Sequence, residues 1–277
     1  MSTTMTAVRT RTAPAPASAV TLPRVLHSEW VKLWSLRSTR ITFAVMVASL
    51  IGFAALFAAA ETGQLSGTDN DSGDGLDATA IALSSVMVAQ IVIGALGVMV
   101  TASEYTTGMI RSSLIAVPRR LPVLWGKTLV FGAVTFVATA VAALLAFYTG
   151  QAVLSGTSVP IAHLSDPGVP RAVVGAAVQL TGIGLLGLAL GALMRNTAAA
   201  ISTLLGVILV APVVVPLLGT QISSKIGPYL PSNAADAFRS VQPVPGALFP
   251  TASLLVFTGY VVVSLVAAAI VLARRDA

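Results

Sequence analysis

Cysteine is absent from this 277-residue chain, and histidine occurs only at His27 and His163. Disulfides and thiolate metal sites are therefore excluded. Neither histidine sits in an HExxH pattern, so metal-dependent intramembrane proteolysis lacks its ligands. Charge is also scarce. Asp, Glu, Lys and Arg make up 9% of the residues against 56% hydrophobic ones, and the mean hydropathy is +0.90. A soluble domain carries roughly 25% charged residues, so this is the composition of an integral membrane protein.

The missing charge is missing in blocks. Six windows near 41–60, 81–102, 128–147, 172–194, 197–218 and 253–272 contain no Asp, Glu, Lys or Arg. Each is about 20 residues long, enough for a helix to cross a hydrocarbon core of about 30 Å. None shows the alternating pattern of a barrel strand, so the reading is an all-α membrane protein with six transmembrane helices in a domain over 41–273. Spans without carboxylates offer no proton relay and no ion-coupling site. Gln90 and Gln179, the polar side chains at depth, suit interhelical hydrogen bonding. The fourth window holds Gly187 and Gly191, a small-xxx-small pair that predicts close helix packing. The fifth holds Pro212 and Pro216, which predict a kinked or broken outer end.

What charge there is lies at the edges. Residues 1–20 are rich in Thr, Ala and Pro and read as a disordered cytoplasmic arm. Residues 21–40, TLPRVLHSEWVKLWSLRSTR, are amphipathic at helical spacing, with Leu22, Leu26, Trp30, Leu33 and Trp34 on one face and Lys32 among the polar residues opposite. This predicts an interface helix in which Trp30 and Trp34 sit at headgroup level and Lys32 meets anionic lipid. Glu61 to Asp77 holds five acids and no base. An EF-hand loop begun at Asp69 would put Ala80 where the closing carboxylate belongs, so a solvated acidic loop is the better reading. A short surface or re-entrant helix is expected near Ser232, as its N-cap.

Between the second and third windows lies SEYTTGMIRSSLIAVPRRLPVLWGK, which concentrates Arg111, Arg119, Arg120 and Lys127 in one loop. With both termini and the loops after spans 2 and 4 on one side, that side carries all basic residues except Arg171, Lys225 and Arg239. This is the positive-inside pattern, so both termini and this loop are expected in the cytoplasm, and the basic pI reflects topology rather than nucleic-acid binding. Lys127, where span 3 enters the bilayer, reads as a lipid-facing anchor. Thr101 and Glu104 have capping-box spacing. Gly126-Lys127-Thr128 imitates the end of a P-loop, but Leu121 stands where that motif needs glycine, so this chain does not hold ATP that way.

SEYTTGMIRSSLIAVPRR resembles the Glu-Tyr-x-x-Gly-x-x-Arg…Pro-Arg-Arg signature of bacterial ABC transporter permeases of the ABC type-2 exporter class. SEWVKLWSLRSTR resembles the segment before their first span, and six spans, an acidic first outer loop and Pro-rich sequence before the last span also fit, so the likeness runs over nearly the whole chain. It implies a non-enzymatic permease subunit in the bacterial cell membrane that forms the pathway, with ATP and magnesium held by a separate cytoplasmic ATPase. It also implies a second permease chain, identical or not. Carried onto this sequence, Glu104, Tyr105, Gly108 and Arg111 would lie on a cytoplasmic coupling helix that touches the ATPase, with Pro118, Arg119 and Arg120 ending it. Arg111 offers a fork of donors to a partner carboxylate. Two other readings stand beside this one: a membrane scaffold or sensor that binds a soluble partner through the same loop, and an intramembrane enzyme, which the missing carboxylates and histidines disfavour.

Overall fold

The computed structural model describes residues 22–61, 77–106, 120–157, 160–242 and 244–274. Among these the secondary structure is entirely helical. The helices are α1 (Leu22–Ser35), α2 (Arg37–Glu61), α3 (Ala78–Leu83), α4 (Val86–Thr106), α5 (Arg120–Leu154), α6 (Val169–Met194), α7 (Thr197–Leu205), α8 (Ala211–Leu217), α9 (Thr220–Ile226), α10 (Pro231–Arg239) and α11 (Pro250–Arg274). Six segments are long and apolar enough to cross a membrane: α2, α3–α4, α5, α6, α7–α8 and α11. The chain is an all-α, multi-pass membrane protein.

At the centre stands α6, with 78% of its apolar window buried, against 17% for the segment 197–217. Glycine explains why. A Cβ placed on Gly187 would strike the carbonyl oxygen of Gly94, and one on Gly97 would strike that of Gly184, so α4 and α6 meet backbone to backbone. Gly191 lies as closely against α4, where its Cβ would come 2.8 Å from the carbonyl oxygen of Val98. In lipid, where apolar side chains gain little by leaving the solvent, such contact supplies the dispersion energy of association. The small-residue pair of the fourth span is thus used within this chain. On its other sides α6 takes large rings into the gaps its glycines leave, Phe131 from α5 at Gly184 and Phe257 from α11 at Gly182.

Two departures from regular helix have visible causes. The second span breaks at Ser84 and Ser85, where the Ser84 hydroxyl donates to the carbonyl of Ile81 at 2.7 Å and competes with the helical bond. Asp77 caps α3, accepting from the amides of Thr79 and Ala80 at 2.9 and 3.2 Å. In the fifth span a π-helical turn, Gly206–Val210, separates α7 from α8. Pro212 has no N–H to offer the carbonyl of Ile208, and the turn before it widens so that the amide of Ala211 reaches back to Gly206. The expected interruption is present. The interface helix, by contrast, is shorter than expected: α1 stops at Ser35, and Arg37–Arg40 open α2.

The helix ends form two faces. On one, α4 ends, α5 begins, and α6 turns into α7 through Arg195 and Asn196. Arg195 adopts a left-handed φ of 53° and places its guanidinium 5.1 Å from the Tyr105 ring centroid, while Asn196 caps α7. On the other, α10 is bound down by polar contacts: Arg239 donates to the Leu83 carbonyl at 2.5 Å, Arg171 to that of Ser240 at 2.7 Å, and Gln179 to Asp236 at 3.3 Å. A helix near Ser232 is therefore present, but Ser232 is not its cap. Pro231 fills the first helical position, where its fixed φ suits a start, and Ser232 is buried one residue inside.

Candidate functional site

Charge is scarce in this protein, and four charged side chains on the first face meet in one place. Lys127, from the second turn of α5, lies 2.7 Å from Glu104 Oε1 and 3.1 Å from Glu29 Oε2, and donates to the Val100 carbonyl at 3.3 Å. Lys32 lies 2.8 Å from Glu29 Oε1 and 3.4 Å from Glu104 Oε1. The side chains of Glu29, Glu104 and Lys127 are 5%, 9% and 6% exposed, and that of Lys32 is 32% exposed. Two carboxylates and two ammonium groups balance, which is what allows them to leave water together. Burial alone would lower the Lys32 pKa, but its hydrogen bond to Glu29 and the charges of Glu104 and Glu29 outweigh that and raise it.

The arrangement follows from local sequence. On α1 the inward positions are Val25, Glu29 and Leu33, spaced four apart on one stripe. Glu29 is the acid in that stripe, and it points where a core residue would. Glu104 lies in the last turn of α4, and α5 carries Lys127 past it in the opposite direction. Leu124 and Val123 are buried beside this contact, and Val25 packs against Gly126. The quartet thus ties the surface helix α1 to both helices that flank residues 107–119.

Several expectations are corrected here. Lys127 faces inward, bound to both carboxylates, because an ammonium beside two buried acids gains more than one in the headgroup layer. Lys32 turns toward Glu29 and Glu104 rather than toward lipid phosphate. Glu104 is buried against α1 and α5, so its carboxylate is not displayed to a partner, and both it and Tyr105 belong to the end of the second span. Thr101 lies within α4 rather than at a helix start, and its buried hydroxyl has no hydrogen-bond partner among the described residues. Trp30 and Trp34 are exposed on the outer side of α1, their centroids 5.9 Å apart, which is the placement that suits headgroups. Gly108, Arg111, Pro118 and Arg119, the proposed coupling helix, the arm and most of the acidic loop lie outside the described residues; Arg120 opens α5.

Sequence reasoning overlooked Glu29. The signal was available: an acid four residues from Val25 and from Leu33 interrupts an apolar stripe, and an acid on such a stripe requires a buried cation. Among the described residues no three His, Asp or Glu side chains gather to hold a metal ion. The quartet offers no nucleophile, since each ammonium is engaged by carboxylates. Its chemistry is mechanical, a polar lock in an apolar setting. No family model and no curated protein matches this chain.

Proposed function

We propose that this chain is the membrane-spanning subunit of an ATP-binding cassette exporter in a bacterial cell membrane, paired with a second permease chain and driven by a separate cytoplasmic ATPase. The observation that carries the reading is the quartet. Residues 107–119, which hold the part of the exporter-like signature that would meet the ATPase, are flanked by Glu104 and Lys127, and these bind each other and Glu29. A force applied to that segment would reach α1, α4 and α5 together, and through the α4–α6 glycine seam the centre of the bundle. Such tightly packed, charge-locked elements shift as units rather than deforming gradually.

Orientation supports the same reading. The face with the quartet also carries Arg37, Arg195 and Arg274, whereas the opposite face carries Asp77, Asp166 and Asp236 beside Arg171, Lys225 and Arg239. By the positive-inside rule the first face is cytoplasmic, where an ATPase would dock. The deciding experiment purifies the tagged chain from its own membrane in mild detergent. A P-loop ATPase should co-purify, and its hydrolysis should respond to the permease. Recovery of a soluble partner without nucleotide-binding activity would replace the exporter reading with that of a scaffold.

A further inference from the structure

The quartet also hides acids. On its face of the protein the described carboxylates are those of Glu29 and Glu104, both buried and both held by lysine. The charge left exposed there is therefore positive among the described residues. Arg24 on α1, and Arg37 and Arg40 one turn apart at the start of α2, are exposed and have no carboxylate partner among the described residues.

These arginines stand among apolar side chains. On α1, Arg24, His27, Val31 and Trp34 recur at helical spacing on the side away from the buried stripe of Val25, Glu29 and Leu33. Trp30, Trp34 and Leu36 are 49%, 40% and 55% exposed. Trp34 stacks on Phe43, with 6.5 Å between ring centroids and 19° between planes, which holds its indole beside the turn of α2 that carries Arg40.

That mixture matches a lipid headgroup layer, which offers phosphate to guanidinium groups and, just below, apolar matter to indoles and leucine. A soluble protein would have to bring acids and an apolar groove together in the same register. Charge then selects among lipids. A zwitterionic headgroup carries a cation beside its phosphate, and this surface exposes no described acid to receive it. An anionic phosphodiester brings phosphate alone, the group a guanidinium fork binds best.

We propose that the outer side of α1 and the first turn of α2 form a binding surface for anionic glycerophospholipids, with Arg24, Arg37 and Arg40 on the phosphates and Trp30 and Trp34 at the glycerol level. The inference goes beyond the exporter reading and does not rest on it, since it requires no ATPase.

The test uses the full chain in phosphatidylcholine vesicles. Trp125→Phe leaves Trp30 and Trp34 as the only indoles. Phosphatidylglycerol brominated in its acyl chains, at one small fixed share of the lipid, is compared with phosphatidylcholine brominated in the same way. Quenching should report phosphatidylglycerol enriched about tenfold beside the two indoles, since each arginine near an anionic surface contributes up to about fivefold. Arg24→Gln, Arg37→Gln and Arg40→Gln together should bring the two lipids to parity, and Lys225→Gln on the opposite face should change nothing. In the unaltered surface, about 1 M salt should remove most of the preference, because the Debye length falls to about 3 Å. This arm needs no substitution among the arginines, so it decides the matter even if the triple variant folds poorly. The proposal is overturned if the two brominated lipids quench alike at low salt, if high salt leaves the preference intact, or if the folded triple variant keeps it. Should that variant keep the preference and lose a co-purifying protein, the face belongs to that protein instead.

Discussion

Lys127 Nζ lies 2.7 Å from Glu104 Oε1 across 23 residues of sequence, and both side chains are almost wholly buried. The pair closes a loop at the membrane surface, and Glu29 joins it from a helix that does not cross the membrane at all. Removing one member leaves the others charged and unmatched in a site that excludes water. Lys127→Ala should therefore lower stability in detergent by about 3–5 kcal/mol, the range for one lost partner of a buried pair. Replacing all four with apolar residues of similar size should cost much less. Thermal unfolding of the purified variants measures both, and a mild Lys127→Ala phenotype would show the quartet to be hydrated and mechanically slack.

The glycine seam gives a sharper contrast. Gly97→Ala and Gly187→Ala would each force a methyl group into an opposing backbone carbonyl, which neither helix can move without separating. Both should abolish recovery of monodisperse protein. Gly52 on α2 faces open space, so Gly52→Ala should be neutral or should gain up to about 1 kcal/mol from helix propensity. Size-exclusion profiles of the three variants suffice as the readout.

Orientation is testable because the chain has no cysteine. Ser224 on α9 and Ser35 at the end of α1 are both exposed and lie on opposite faces. With the basic face cytoplasmic, Ser224→Cys should react with an impermeant maleimide in intact cells, and Ser35→Cys should react only after lysis. The reverse labelling would invert the topology.

The Lys32 contacts make a pH prediction of definite sign. The folded-state pKa is raised above the ordinary lysine value of 10.5, so the stabilisation is complete below that pH and is lost as pH rises through the folded value. Thermal stability should fall above pH 10.5 in the wild type, and Lys32→Met should flatten part of that fall. Because a third of the Lys32 side chain is exposed, the effect should be smaller than that of Lys127→Ala. An unchanged alkaline profile in Lys32→Met would mean that its ion pairs do not form in solution.

Much of the architecture was determined by the sequence alone. Six charge-free blocks, each one bilayer long, leave a chain no stable option but helices, because backbone amides in hydrocarbon have only their own carbonyls to bond. Pro212 and Pro216 likewise required an irregular fifth span, since proline removes a donor wherever it stands. These properties are local and can be read from composition and spacing. Tertiary structure decided which groups meet. Glu29, Glu104 and Lys127 come from three separate helices, and spacing along one helix cannot show that their partners lie on the others. The same holds for Gly187, whose need for a close neighbour was legible but whose choice of α4 within this chain was not. A charge at the membrane edge can face lipid phosphate or a buried counter-charge. The choice depends on whether a neighbouring helix supplies that counter-charge at the same depth, which only the packed bundle fixes.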